Sequence, residues 1–373
     1  MIGLDQGIVF LKQQIHRKLT RPVFVGGVQI GGGAPVAVQS MACTDTRNVK
    51  ATVTQINALE DAGCELVRVA VPDRAAAEAL KAIKKQIRLP LIADIHFNHR
   101  LALEAIKNGV DGIRINPGNI SAEKIRSVVR AAKNRDVVIR IGINAGSLDK
   151  ELSAKYGGPK PEALVESALR SIALFEEMDF TAIKVSLKSS DVGATIEACR
   201  RFSVQSDYPL HLGVTEAGTL VNTAIKSAIG IGTLLSEGIG DTIRVSVTGD
   251  PVSEIGIAYG ILRALNIRKV GPDIISCPTC GRCEIDLFKL SDAVEKKLAG
   301  MKSYLKIALM GCVVNGPGEA AEADIGIAGG RGFGMLFKKG HIVRKIREED
   351  FVPVLIEEIR QMLIPTELKC MDE

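Results

Sequence analysis

Residues 112–144 read GIRINPGNISAEKIRSVVRAAKNRDVVIRIGIN, and the fold turns on this stretch. Gly112–Asn116 is a short β-branched run, Glu123–Asn134 is amphipathic, and Val138–Asn144 is a second β-branched run. A strand, a helix and a strand of the same kind imply two parallel strands with a helical crossover. Working outward, further strand candidates are Val36–Ser40, Leu66–Val71, Leu91–Ile95, Ala182–Leu187, Leu210–Val214 and Thr242–Val247. Helical patterns such as Val49–Ala62 and Ala75–Gln86 separate them. Eight such units in about 230 residues match a closed (β/α)8 barrel of the TIM type; an open doubly wound sheet is the other fold this alternation allows. The pattern breaks near Ile267–Pro272. Residues 269–373 therefore read as a second, small α+β domain, with a strand at Lys306–Met310, Gly-rich turns and a final helix at Phe351–Leu363. Residues 1–20 read as an extension and 21–268 as the barrel.

The strands carry charge that a buried strand should not. Side chains alternate faces with period two. Ile113 with Ile115, Ile139 with Ile141, Ile183 with Val185, and Ile243 with Val245 supply the face that packs on helices. The opposite parity, pointing into the barrel, holds Arg114 with Asn116, Arg140 with Asn144, Lys184 with Ser186 and Lys188, and Arg244 with Ser246. Arg68 adds a cation from a fifth strand. Asp94 with His96, and His211 with Gly213, share a parity in the same way. Asp94 is then the one inward acid on these strands, and unpaired buried charge is costly. A bound polyanion resolves the imbalance, because guanidinium forks match phosphate oxygens and Asn and Ser add neutral donors. Barrel active sites lie at the C-terminal strand ends, where Asn116, Asn144, Ser186 and Ser246 fall. Glu216, in GVTEAG, reads either as the acid near that mouth or as an ordinary loop carboxylate. The INPGN and NAGS turns could offer backbone N–H groups to phosphate, although Gly also simply makes turns.

The second domain opens with CPTCGRC, which places Cys277, Cys280 and Cys283 at two-residue gaps; Cys312 follows in GCVVNGPGE. Such thiols hold structural zinc or an iron–sulfur cluster. Zinc designs usually use two close pairs, and Cys312 stands alone. Cys43, Cys64, Cys199 and Cys370 are scattered and read as packing or surface thiols. Aromatics are 4% of the chain and tryptophan is absent, which argues against stacking platforms for single-stranded nucleic acid. A formal net charge of +5 is too small to imply nucleic acid by itself. The early apolar run Ile8–Leu11 is too short for a signal-peptide core, and no later run approaches membrane-spanning length. A cytoplasmic protein with reduced thiols is expected.

The segments VAVQSM, VRVAVP, LIADIHF, RINPGN, RIGINAGSL, HLGVTEAG, SAIGIGTLLSEGIGDTIRVS, CPTCGR and GCVVNGPGE occur in order from Val36 to Glu319. In these segments the chain resembles the bacterial (E)-4-hydroxy-3-methylbut-2-enyl diphosphate synthases of the non-mevalonate isoprenoid pathway. The resemblance implies a barrel followed by a domain bearing a [4Fe–4S] cluster, held by Cys277, Cys280, Cys312 and Glu319. Cys283 is a thiol that the family's ligand set does not use, so it competes with Glu319 for the fourth place; Glu319 is the expected ligand. The implied reaction is reductive ring opening of 2-C-methyl-D-erythritol 2,4-cyclodiphosphate, with loss of water. Arg68, Arg114, Arg140, Lys184, Asn116, Asn144 and Ser246 would bind the diphosphate, and Glu216 would act as general acid. Asp94, His96 and His211 would line the same mouth. Flavodoxin or ferredoxin would donate electrons to a homodimer in which each cluster domain caps the partner's barrel. The rival from a different class is a pterin- or aldolase-type phosphate-ligand barrel enzyme with structural zinc.

Overall fold

The computed structural model of the chain describes residues 15–95, 98–312, 318 and 320–363. Its contacts divide into two compact units between Arg268 and Lys269.

The first unit begins with an antiparallel hairpin, β1 (Val23–Val25) and β2 (Val28–Ile30), turned at Gly26 with φ +57°. Strands of three residues are too short to show a period, and the sequence reading passed over them. Parallel strands follow: β3 (Ala37–Met41), β4 (Leu66–Ala70), β5 (Leu91–Asp94) and β6 (Gly112–Ile115). The ring continues with β7 (Val138–Asn144), β8 (Ile183–Lys188), β9 (His211–Leu212) and β10 (Thr242–Ile243). Their order is β8-β7-β6-β5-β4-β3-β10-β9, and a parallel bridge from Val185 to Leu210 joins the two ends. The expected barrel is therefore present.

After β3 to β6 come α1 (Val49–Asp61), α2 (Arg74–Lys84), α3 (His99–Lys107) and α4 (Ala122–Lys133). After β7 come α5 (Lys150–Tyr156) and α6 (Pro161–Glu176). The last three crossovers are α7 (Val192–Gln205), α8 (Leu220–Ser236) and α9 (Val252–Ala264). Side-chain caps start several of them: Asn48, Asp73 and Asp191 each accept from the backbone N–H three residues on. The isoleucines expected to face the helices, Ile113, Ile115, Ile139 and Ile141 among them, are fully buried. At the other end, Val23, Val25 and Ile30 pack on Ala37, Leu66, Ile92 and Val138, residues near the starts of their strands. The hairpin thus closes the N-terminal end of the barrel and leaves the C-terminal end for the site.

The second unit is a five-stranded sheet of order β11-β12-β13-β14-β15. Its strands are β11 (Pro272–Ser276), β12 (Leu305–Met310), β13 (Ile325–Gly330), β14 (Phe333–Lys338) and β15 (His341–Arg347). The first three run parallel and the last two antiparallel. Helix α10 (Leu287–Leu298) and a last helix, Phe351–Leu363, cover one face through Leu290, Val294, Leu355 and Ile359. The strand at residues 306–310 and the last helix were expected. The strand β11 was not, because it begins on Pro272 where the barrel alternation stops. Among the described residues no helix is long and apolar enough to cross a membrane.

Candidate functional site

Parallel pairing sets Asp94 beside Arg114, Arg114 beside Arg140, and Arg140 beside Lys184 on four consecutive strands. All four are buried, as are Arg68, Ser186 and Lys188. Asp94 bridges two guanidinium groups, 3.7 Å from Arg68 Nε and 3.5 Å from Arg114 Nη1. Arg114 also donates to the Gly142 carbonyl at 3.3 Å. With the Asn144 amide oriented to match its neighbours, its oxygen accepts from Arg114 Nη2 at 3.0 Å. Gly142 is required there, since any Cβ would strike the Arg114 guanidinium.

Arg140 and Lys184 are different. Among the described residues, Nε and Nη1 of Arg140, and Nζ of Lys184, are buried without a hydrogen-bond partner. Burial, reinforced by the neighbouring guanidinium charges, holds both far below their ordinary pKa values, and Lys188 likewise. Burial also brings Arg68 down to about 10 against the opposing pull of Asp94. His211 is fully buried; its Nδ1 lies 2.7 Å from Thr242 Oγ1, and its Nε2 has no partner among the described residues. Burial, then the charges of Lys188, Arg140 and Lys184, keeps its imidazole neutral. Donors left unmatched in a protein interior are costly. A site this rich in cations and poor in acids is chemically suited to a multiply charged anion.

Two expectations need correction. Asp94 is not the only acid among the inward cations. Glu254 of α9, 2% exposed, lies 3.1 Å from Arg244 Nη2. It escaped the parity argument because it comes from a helix. Asn116 is also less available than expected: its amide nitrogen donates to Ser147 O and Oγ at 3.0 and 3.1 Å, and its oxygen accepts from Gly118 N at 3.2 Å. The Gly118 N–H of the INPGN turn is thus already used.

Glu216 is exposed, in the loop that joins β9 to α8 at the C-terminal end, and it holds φ at +53°. A non-glycine residue in the left-handed region is a local strain. The loop is tied down by Thr248 N to Gly218 O at 2.9 Å and Thr223 Oγ1 to Gly218 O at 2.6 Å. Ser246 is half-buried just beyond β10. A cavity of ≈ 430 Å³ opens beside Asp94, lined by Ala70, Val71, Pro72, Ile95, Asn98 and Leu101. His96 and Glu319 lie outside the described residues.

In the second unit, β11 and β12 bring the thiols to one end of the sheet. Cys277 follows β11, Cys312 follows β12, and the Cys277 N–H donates to the Leu309 carbonyl at 3.3 Å. The Gly311 N–H donates to Cys277 Sγ at 3.2 Å, and Glu284 N to the Gly311 carbonyl at 2.9 Å. Cys280 is exposed, and a backbone hydrogen bond from Arg282 lowers its thiol pKa. Cys283 is engaged elsewhere: its thiol donates to the Ile285 carbonyl at 3.3 Å and packs so close to Gly311 that no Cβ would fit there. Among the described residues no three Cys, His, Asp or Glu side chains form a ready-made metal site. The donor chemistry nonetheless suits an iron–sulfur cluster: thiols gathered at paired strand ends, with a backbone N–H already aimed at one sulfur. Cys64 and Cys199 are buried, with thiols pushed up to about 12, and Cys43 is exposed.

The model of the GcpE TIM-barrel domain matches residues 20–259, and that of the GcpE protein C-terminal domain matches residues 273–361. The chain belongs to the GcpE family. A GcpE relative from Thermodesulfovibrio yellowstonii, named 4-hydroxy-3-methylbut-2-en-1-yl diphosphate synthase (flavodoxin), is 60% identical over 348 residues, 93% of this chain and 100% of the relative. One from Geobacter sulfurreducens with the same name is 58% identical over 345 residues, 92% and 98% respectively. Solved barrels are more distant: a dihydropteroate synthase from Xanthomonas albilineans is 12% identical, with TM-score 0.47 over 66% of this chain and 98% of that one.

The unpartnered cations make a prediction for the anion-free GcpE protein. The folded pKa of Lys184 lies below its ordinary 10.5, so the unfolded chain binds more protons between those two values. Stability should therefore rise as pH rises through that window and fall as pH drops. Lys184→Met should flatten this dependence and stabilise the anion-free fold by about 1 kcal/mol, because a buried unpaired charge is removed. Urea unfolding at several pH values reads both effects.

Proposed function

We infer that this protein performs the reaction for which its relatives are named: reductive ring opening of 2-C-methyl-D-erythritol 2,4-cyclodiphosphate to (E)-4-hydroxy-3-methylbut-2-enyl diphosphate. Two electrons and two protons enter, one C–O bond at the ring breaks, and one water leaves. The observation that carries this reading is the pair of buried, unpartnered cations Arg140 and Lys184, in a chain whose relatives make a diphosphate. Nothing comparable supports a pterin- or aldolase-type transferase with structural zinc.

Arg140, Lys184, Arg68 and Arg114 would bind the cyclic diphosphate by charge-assisted hydrogen bonds, with Asn144, Ser186, Ser246 and the neutral His211 imidazole completing the shell. Asn116 would act through the turn it holds, and Asp94 as the counter-ion that fixes Arg68 and Arg114. The largely apolar cavity beside Asp94 suits the carbon skeleton. Arg244 would contribute from just beyond β10, and His96 is a further candidate from the sequence. Glu216 would hold the proton that converts the departing hydroxyl to water.

Cys277, Cys280, Cys312 and Glu319 would hold a [4Fe–4S] cluster. When bound, it supplies electrons one at a time to the substrate. Cys283 would stay outside the ligand set, a reading supported by its thiol's bond to the Ile285 carbonyl and its packing on Gly311. Flavodoxin, the donor printed in the relatives' name, would deliver the electrons; ferredoxin is the other expected carrier. The protein would work as a homodimer in the cytoplasm, each cluster domain serving the partner's barrel. An uncharged row on α8, Leu220, Val221, Ile225 and Ile229, is more than half exposed and supports a covered helix face.

Anaerobically purified protein should be brown, with a broad band near ~400 nm that dithionite bleaches, as expected of iron–sulfur thiolates. Cys283→Ser should keep that band and its iron content, whereas stoichiometric zinc and no band would overturn the assignment. Glu216→Gln should lower kcat by about 100-fold, in the range of general acid catalysis, with substrate affinity retained. Ile225→Glu should convert the dimer to a monomer in sedimentation experiments; an unchanged dimer would place the interface elsewhere.

A further inference from the structure

Glu254 is an acid that the reaction above does not use. It is the third residue of α9, 2% exposed, near the positive end of the helix. Its carboxylate ties three segments together. Oε2 accepts from Ser40 Oγ of β3 at 2.7 Å, and Oε1 accepts from the Val247 backbone N–H at 3.1 Å. Arg244 meets it with a fork, Nη2 to Oε1 at 3.1 Å and Nε to Oε2 at 3.4 Å. β3 and β10 are neighbours in the ring, so this carboxylate holds the C-terminal end of their seam.

The fork has a directional consequence. With Nε and Nη2 committed to Glu254, the planar guanidinium cannot rotate, and its remaining edge, with Nη1, is fixed in space. The Val247 N–H bond fixes the backbone one residue beyond Ser246. β10 ends at Ile243; beyond it Arg244 N still donates to the Leu212 carbonyl at 3.0 Å and Ser246 O accepts from Thr223 Oγ1 at 3.4 Å. Glu254 adds the tie at Val247 N and is the side chain that fixes the Arg244 guanidinium.

We propose that Glu254 is a positioning residue: it aims Arg244 and the Ser246 segment at the anion in the barrel, and acts on the substrate only through them. This rests on the reading of the barrel as a cyclic diphosphate site. A double-substitution cycle tests it on the cluster-loaded protein, with inorganic diphosphate binding by calorimetry as a second readout independent of turnover. Glu254→Gln and Arg244→Gln should each raise KM for the cyclic diphosphate about tenfold with a much smaller change in kcat, as for loss of one charge-assisted contact. Each should weaken inorganic diphosphate to a similar degree. In the double variant the second substitution should add nothing. Additive effects, or a KM unmoved by Glu254→Gln, would overturn the proposal. If Glu254→Gln does not fold, Ser40→Ala replaces it: removing one bond to the carboxylate should raise KM severalfold in the wild-type background and have no effect beside Arg244→Gln. An unmoved KM there would equally overturn it. Wild-type protein that binds inorganic diphosphate yet leaves the cyclic diphosphate unchanged would count against the functional reading, and the diphosphate cycle would still decide the role of Glu254.

Discussion

Like charges set side by side on adjacent strands repel each other, and here Arg114, Arg140 and Lys184 occupy one register across three of them. Neighbouring strands lie about 4.8 Å apart, so the repulsion is strong wherever water is excluded. The rest of the barrel is arranged to hold those groups together. Ile113, Ile139 and Ile183 stand beside them on the opposite face and are fully buried against the helices. Asp94 offsets two of the guanidinium groups at one side, and Glu254 offsets Arg244 at the other. In the middle of the array, Arg140 Nε and Nη1 and Lys184 Nζ find no hydrogen-bond partner among the described residues. Stability is given up there, as expected where buried cations lack an opposite charge.

The second unit solves a different problem with similar means. Parallel strands end on the same side, so β11 and β12 deliver Cys277 and Cys312 to one edge without any long loop. Gly311 permits the backbone and Cys283 to approach closely, and its N–H reaches Cys277 Sγ. Thiols are therefore presented with polar support already built in. The same packing that orders this edge also engages Cys283, whose thiol donates to the Ile285 carbonyl.

Much of the barrel could be read from the chain because each strand carries isoleucine or valine on one parity and polar groups on the other. The eight strands fall within a few residues of their expected places, and β7 coincides with Val138–Asn144. β9 and β10 are shorter than the runs suggested; at Leu210 and Val247 the backbone N–H donates to the Asp241 and Glu254 carboxylates instead of a neighbouring strand. The hairpin β1–β2 and the sheet strands β11 and β13 to β15 were missed. β1 and β2 are short, β11 is Pro-led and β13 Gly-rich, while β15 is exposed at all but one position and so carries no alternating pattern. The inward cations were readable for the same reason as the strands. Glu254 was not, because a helix period says nothing about which strand end its first turn meets. Nor did the spacing show that Asn116 would spend its amide on Ser147.

The hairpin at the N-terminal end has a further consequence. With Val23, Val25 and Ile30 packed on the strand starts, the described residues close that end of the charged interior. Traffic of ions, water and bound molecules is thereby directed toward the C-terminal strand ends, where anything lodged at the rim would obstruct entry and exit alike.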